Sequence, residues 1–401
     1  MHNIRYITED LIYIGCSDRR LKLFESAYPV PKGVSYNSYL LKDEKTVLFD
    51  TVDKSCTCQF FKNLEFALEG QELDYLVVQH MEPDHASLIE EIKKRYPSVK
   101  IVCTAKAQAM IKQFFNFDID SCVLAVKEGE ILNTGKHELQ FFMAPMVHWP
   151  EVMVTYDKTS GTLFTADAFG SFGAINGTLF DSGIDFKSDY LSEARRYYTN
   201  IVGKYGLQVQ MLLKKLSQID VKLICPLHGL LIKENISLFV EKYNTWSTYS
   251  PEENGVLLAY TSVYGGTENL VELLASKLAD KGVQNIRMYD LSFAEHSEVL
   301  AEAFKYSHIV LASTTYNAGI FESMQSFIHS LVSHGLQNRK YVLIENGSWA
   351  LTCGNLMKAE LEKLKGSEFL TENFSIKSTL KEDQLAELDN VVITIEKSLN
   401  M

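Results

Sequence analysis

No stretch of this chain approaches the ~18 uninterrupted apolar residues of a membrane-crossing helix, so a membrane-spanning protein is excluded from the expectations. The opening MHNIRYITEDLIYIG has neither the basic start nor the apolar run of a secretory leader, and a cytoplasmic protein is expected. Positive charge is in short supply. With a net charge of −12, the chain lacks the lysine and arginine surface that neutralises phosphates, which argues against nucleic-acid binding. No C-x-x-C pair is present. The seven cysteines (Cys16, Cys56, Cys58, Cys103, Cys122, Cys225, Cys353) are scattered, and Cys56-Thr57-Cys58 is the one close pair, so free thiols in a reducing compartment are expected. Internal repeats, low-complexity tracts, a G-x-G-x-x-G fingerprint and a G-K-[ST] phosphate loop are also missing.

What is present is ordinary globular composition, 46% hydrophobic and 22% charged, over 401 residues. That length exceeds what one hydrophobic core normally supports, so two domains are expected. Up to about Tyr243, short apolar runs end in turn residues: Tyr39-Leu40-Leu41, Val47-Leu48-Phe49, residues 75–78, Ile101-Val102, 139–143, 152–156 and Leu223-Ile224. Helical patterns interleave, as at 86–96, where Leu88, Ile89 and Ile92 share a face. The polar, proline-containing segment 244–254 reads as a linker. From Gly255 the pattern becomes a regular alternation: GVLLAYTS as strand, 269–281 as helix, then IRMYDL, HIVLAST and KYVLIEN as strands. The expected boundaries are 1–250 and 251–401.

The densest chemistry is His80-Met81-Glu82-Pro83-Asp84-His85, between the apolar strand LDYLVVQ and the helical ASLIEEIKKRY. Four potential ligands within six residues, on a strand-to-helix loop, repel one another or go unpaired unless a cation gathers them. Further candidates close other apolar runs: His148 after LQFFMAPMV, Asp167 after TLFTA, His228 after VKLICPL. If those strands are neighbours, four imidazoles and three carboxylates meet at one sheet edge. The other histidines, His2, His137, His296, His308, His329 and His334, fall in no such pattern and read as surface or core residues.

The order H-x-E-x-D-H, then His, Asp and His resembles the metallo-β-lactamase superfamily as flavodiiron proteins use it. The resemblance implies an N-terminal αββα sandwich in which His80, Glu82 and His148 hold one iron, Asp84, His85 and His228 the other, and Asp167 bridges them. Hydrolases of the superfamily usually carry His where this chain has Glu82. A third carboxylate adds a hard oxygen donor and shifts preference from zinc toward iron. Trp149-Pro150-Glu151 and Arg195-Arg196-Tyr197-Tyr198 also look like family segments, and Tyr197 or Tyr198 is a candidate to line the pocket.

In the second half, Thr261-Ser262-Val263-Tyr264-Gly265-Gly266-Thr267-Glu268 joins a strand to a helix, and hydroxyls with glycine-permitted N–H groups there can cradle a phosphate. It resembles the phosphate loop of flavodoxins, with Ser262, Tyr264 and Thr267 supplying hydroxyls. Two further loops follow strands of the same expected sheet: Ser313-Thr314-Thr315-Tyr316-Asn317-Ala318-Gly319 and Asn346-Gly347-Ser348-Trp349. They fall on the edge where flavodoxin-like, doubly wound parallel sheets bind FMN, and Tyr316 or Trp349 could stack on the flavin ring. The family more often has Pro at 314 and Asn at 318, a departure that bears on tuning of the flavin potential.

Together the resemblances imply an oxidoreductase that reduces dioxygen to water, nitric oxide to nitrous oxide, or both, at two irons per chain fed by FMN. With no C-x-x-C pairs to form a fused rubredoxin, electrons are expected from a separate donor such as rubredoxin. The family also implies a head-to-tail homodimer, or a dimer of dimers, in which the FMN of one chain serves the irons of the other. Two alternatives stand beside this reading: a zinc metallohydrolase with a fused FMN module, and a non-catalytic electron-transfer protein.

Overall fold

Apolar runs bounded by turns become strands here because both of their faces are covered. The computed structural model describes residues 1–400, which divide into two units: Met1–Tyr198 with Leu207–Asn244, and Thr199–Gly206 with the chain from Thr245 onward. In the first unit a seven-stranded mixed sheet runs Arg5–Tyr6, Leu11–Tyr13, Tyr39–Leu41, Val47–Phe49, Tyr75–Val77, Lys100–Cys103, Val123–Ala125. Its first three junctions are antiparallel and its last three parallel. A second sheet of five strands runs Ile131–Asn133, Glu138–Met143, Met153–Asp157, Thr162–Phe164, Leu223–Cys225.

The core lies between the sheets, where Phe49, Val77 and Val102 meet Phe141, Met153 and Phe164. Phe49 and Phe164 stack with centroids 3.9 Å apart. The helix Thr57–Leu68 buries Phe60, Phe61, Leu64 and Leu68 at helical spacing, and left-handed Glu69 (φ 52°) ends it. Sheet against sheet with helices outside is the expected αββα arrangement.

Two expectations need correction. The single helix over 86–96 is two pieces, Pro83–Ala86 and Ile89–Arg95. The carbonyl of His85 is taken by the backbone N–H and hydroxyl of Thr51 (2.8 and 2.6 Å), so it cannot continue the helical ladder. The linker over 244–254 shrinks to residues 248–252. Helix Ile236–Ser247 runs into it because Tyr243 and Trp246 are buried, and strand Glu253–Tyr260 begins before its end. Trp246 donates its indole N–H to Glu252 (2.6 Å).

The second unit is a parallel sheet in the order Ile286–Asp290, Glu253–Tyr260, Tyr306–Tyr316, Lys340–Asn346, then the short Glu368–Phe369 and Phe374–Ile376. Alternate strand residues feed two cores, one per face: Leu257, Ala259, Ile309 and Leu311 on one, Val256, Leu258, Val310 and Val342 on the other. Helices on both faces follow, as in doubly wound folds. No described helix is long and apolar enough to cross a membrane.

Candidate metal centre and flavin site

Strand Tyr75–Val77 carries the chain inward, and the following loop is tied down by buried Asp50. Its Oδ1 accepts from the backbone N–H groups of Gln79 (2.8 Å) and His80 (3.3 Å), and its Oδ2 from the Gln79 amide (3.0 Å). His80 is thereby fixed, Glu82 precedes a Pro-started helical turn, and Asp84 and His85 lie within that turn. His148, Asp167 and His228 arrive from three later loops.

The seven side chains form two adjoining clusters, His80, Glu82, His148 and Asp167 in one, Asp84, His85 and His228 in the other, all buried. His80 and His148 bring their Nε2 atoms within 3.3 Å, and Glu82 Oε2 lies 3.1 and 3.0 Å from them. His85 and His228 Nε2 are 3.0 Å apart, with Asp84 Oδ2 at 3.4 and 3.3 Å. Asp167 faces both clusters: Oδ2 is 3.1 Å from His148, and Oδ1 is 3.2 Å from His85. Ala166 and Phe169, flanking it, hold left-handed backbone (φ 51° and 64°), a strained turn of the kind that collects at functional sites.

These contacts are not self-sufficient. His80 donates Nδ1–H to Glu151 (2.8 Å) and His228 donates Nδ1–H to the carbonyl of Ser35 (2.7 Å), so their Nε2 lone pairs point into the centre. Both oxygens of Asp84 and Oδ1 of Asp167 are buried without a hydrogen bond. Burial opposes charge on His85, but Asp84 and Asp167 outweigh it and push the ring up to about 9. His148 is likewise raised to about 9 by Asp167 and Glu82. Such a field calls for positive charge at the point where the lone pairs converge, and ligand separations of 3.0–3.3 Å match edges around a metal with bonds of about 2.1 Å.

In the second unit the three loops meet at one edge, because their parent strands are parallel neighbours in register: Tyr260 pairs with Ala312, and Thr314 with Asn346. Gly265 (φ 85°) opens helix Gly266–Asp280, and the Ser262 hydroxyl accepts from the N–H groups of Gly265 (3.1 Å) and Glu268 (3.3 Å). A Cβ at Gly266 would fall 2.1 Å from the Ser378 carbonyl, so only glycine fits. Hydroxyls of Thr261 and Ser313, and of Thr267 and Thr314, lie 3.2 Å apart, and Asn346 donates to Thr267 (3.1 Å). Thr315 instead caps the helix Cys353–Leu361, accepting from the N–H groups of Thr352 and Cys353. Asn317 and Ala318 make the tight turn before Gly319. Tyr264 and Trp349 are 99% and 94% exposed and Tyr316 is half exposed, three flat surfaces available to a planar ring at this edge. Gly347 and Ser348 complete the loop, Ser348 meeting the Ser378 hydroxyl at 2.9 Å.

Residues 34–229 match the family described as ODP family beta lactamase. A nitric oxide reductase of Moorella thermoacetica is 29% identical over 90% of each chain. An anaerobic nitric oxide reductase flavorubredoxin of Vibrio vulnificus is 27% identical, covering 86% of this chain and 70% of its own. Among solved structures, the rubredoxin oxygen:oxidoreductase of Desulfovibrio gigas superposes with a TM-score of 0.93 at 26% identity over 99% of each chain. The chain belongs to the flavodiiron proteins. Membership implies a flavin and non-haem iron, and both candidate sites have donor sets that suit them.

The roles of three residues of this flavodiiron protein do not show in its sequence, although Glu151 stands in the segment Trp149-Pro150-Glu151. Glu151 orients His80 and also accepts from the Met81 N–H (2.9 Å). Asp50 anchors the ligand loop, and its place at the end of the run VLFD was the available signal. Glu25 sits on an open hairpin in left-handed backbone (φ 50°) with its carboxyl turned onto Glu82. Burial of that carboxyl and the Glu82 charge push it up to about 8. Of the two tyrosines, Tyr197 packs its ring on His228 (5.5 Å), while Tyr198 packs on Tyr243 (5.0 Å).

Proposed function

We propose that this protein reduces dioxygen to water, nitric oxide to nitrous oxide, or both, at a pair of irons supplied with electrons by FMN. The observation that carries the reading is the position of Asp167, whose two carboxylate oxygens each face one of two buried ligand clusters. His80, Glu82 and His148 would hold one iron, Asp84, His85 and His228 the other, with Asp167 between. Glu82, where zinc hydrolases of the superfamily carry His, makes the set carboxylate-rich and favours iron over zinc, against the metallohydrolase alternative. When bound, FMN would supply one electron pair and two ferrous ions a second, four electrons for one dioxygen to two waters, of which two suffice for two nitric oxides to nitrous oxide.

The chain's own groups prepare the site. Glu151 and the Ser35 carbonyl fix the tautomers of His80 and His228, so that lone pairs and not protons face the metals. The Tyr197 hydroxyl is buried without a hydrogen-bond partner, and burial with the charges of Asp167, Glu82 and Asp84 holds it well above the ordinary phenol value. It therefore keeps its proton and would serve as a hydrogen-bond donor beside the centre. Gly170 makes room for this ring, since a Cβ there would lie 2.9 Å from Tyr197 Cε1.

For the flavin, Thr261, Ser262, Gly265, Gly266 and Thr267 would hold the phosphate at the helix N-terminus, with Tyr264, Tyr316 and Trp349 around the ring. An external donor such as rubredoxin, acting in the cytoplasm, would supply electrons, and a head-to-tail homodimer would bring the FMN of one chain to the irons of the other. Relatives named for rubredoxin support the donor. Asp167→Ala is expected to abolish reduction of both gases while FMN stays bound and reducible. Wild-type turnover with a full iron complement in that variant would refute the bridging role.

A further inference from the structure

Away from the metal ligands, the first unit holds a cavity of about 590 Å³ whose walls carry Arg5, Arg19, Arg20 and Lys62, with Cys16 and Cys56 between them. No acidic side chain lines it, in a protein whose net charge is −12. Among the described residues none of the four cations forms an ion pair within 4 Å; Arg5 and Arg19 donate to the carbonyls of Gly177 (2.7 Å) and Ile175 (2.6 Å), which aims them without neutralising them. Two carboxylates stand just outside the lining and act on it, Asp18 on Arg20 and both Asp18 and Asp53 on Cys56. Asp18 accepts from the N–H groups of Arg20 and Leu21, and Asp53 from that of Ser55. Four cations in the lining against two carboxylates beside it leave the cavity net positive, which favours an anionic occupant.

The two cysteines are buried, 8% exposed each, and lie side by side although forty residues separate them in sequence: the Cys16 thiol donates to the Cys56 carbonyl (3.9 Å), and the Ser55 hydroxyl donates to the Cys56 sulfur (3.9 Å). Cys16 lies in strand Cys16–Asp18, and Cys56 is the N-cap of the twelve-residue helix Thr57–Leu68. They are therefore not equivalent. The Cys16 and Ser55 side chains beside it lower Cys56 against burial and the charges of Asp18 and Asp53, while the Cys56 side chain and burial raise Cys16. A thiol at a helix N-terminus in a cation-lined cavity, with a second thiol beside it, has the parts of an attacking and a resolving sulfur.

We propose that this cavity is a thiol–disulfide exchange site for a small anionic disulfide, with Cys56 as the attacking thiol and Cys16 as the resolving one. The Cys56 thiolate attacks one sulfur of the disulfide, whose S–S bond breaks; one half leaves as a thiolate and takes up a proton. Cys16 then loses its proton and attacks the Cys56 sulfur, the second half leaves as a thiol, and a Cys16–Cys56 disulfide forms. Two electrons pass from the protein to the small disulfide, giving two free thiols. The four cations serve to hold the anion.

The test uses the full-length, flavin- and iron-loaded protein carrying Cys58→Ser, under anaerobic conditions, so that the exposed neighbouring thiol is silent. Dianionic glutathione disulfide, neutral hydroxyethyl disulfide and dicationic cystamine are compared by the rate of thiol loss and by peptide mapping. The expected product links tryptic peptide 6–19 to peptide 55–62. Glutathione disulfide is expected to react roughly tenfold or more faster than cystamine at low salt, the gap narrowing as salt rises. Arg20→Ala with Lys62→Ala should narrow it in the same way, and Cys16→Ser should trap the mixed disulfide on Cys56. Cystamine reacting as fast as glutathione disulfide, or no linked peptide from any probe, would overturn the proposal; the salt series and the charge comparison need no variant of the cavity itself.

Discussion

Replacing Glu151 tests whether the metal centre depends on a residue that touches no metal. Its Oε1 accepts from His80 Nδ1 at 2.8 Å and from the Met81 N–H at 2.9 Å, so one carboxylate oxygen fixes both the ring and the backbone beside it. The His80 hydrogen bond holds Glu151 below the usual carboxylate value against the opposing effect of burial, so the acid is charged at neutral pH. Loss of such an outer partner costs about 10- to 100-fold in metal affinity, or about 1.4–2.7 kcal/mol. Glu151→Ala should weaken iron by that factor at the cluster containing His80, while Glu151→Gln, which keeps an acceptor but no charge, should lose less. His228 takes its orientation from the Ser35 carbonyl, so the cluster of Asp84, His85 and His228 should be affected far less. Competition of the anaerobic ferrous protein against a chromogenic ferrous chelator measures both affinities. If Glu151→Ala leaves both unchanged, the orienting role is wrong.

Two further predictions concern the second unit. Arg339 is buried and donates only to main-chain carbonyls: Nε to Ala303, Nη1 to Tyr249, Gln337 and Asn338, and Nη2 to Phe304. A lysine cannot reproduce that planar fork, so Arg339→Lys should cost about 2–4 kcal/mol in urea denaturation; a loss below about 0.5 kcal/mol would contradict this. Burial, aided by Lys340, lowers His308 from 6.5 to about 4, so the folded protein resists a proton that the unfolded chain accepts. Stability from neutral His308 is complete above pH 6.5 and is lost as pH falls toward 4. Allowing for solvent screening, the loss is about 2 kcal/mol, and His308→Gln should flatten that part of the pH–stability curve; an unchanged slope would show that other groups carry it.

The clustering of the seven candidate ligands was legible because four of them crowd into residues 80–85 and the other three each close an apolar run. That the three candidate flavin loops share one edge was legible for a similar reason, each following a strand of one regular alternation. What stayed hidden depends on partners distant in sequence. Helix 86–96 breaks because Thr51 captures the His85 carbonyl, a contact across 34 residues that no local pattern displays. Glu151 orients His80 across 71 residues, and in the sequence it is only an acid after Trp149-Pro150. The supposed linker hid a helix because its polar residues drew notice and the spacing of Tyr243 and Trp246 did not. Cys16 and Cys56 read as unrelated free thiols until strand and helix brought them together.

The most direct measurement of the central claim is anaerobic stopped-flow mixing of the fully reduced, FMN- and iron-loaded protein with dioxygen and, separately, with nitric oxide, alongside elemental analysis of the same sample. Two irons and one FMN per chain, flavin reoxidation coupled to gas consumption, and water or nitrous oxide as product are the expected result. Stoichiometric zinc in protein grown with ample iron, with hydrolase activity and neither gas consumed, would contradict it.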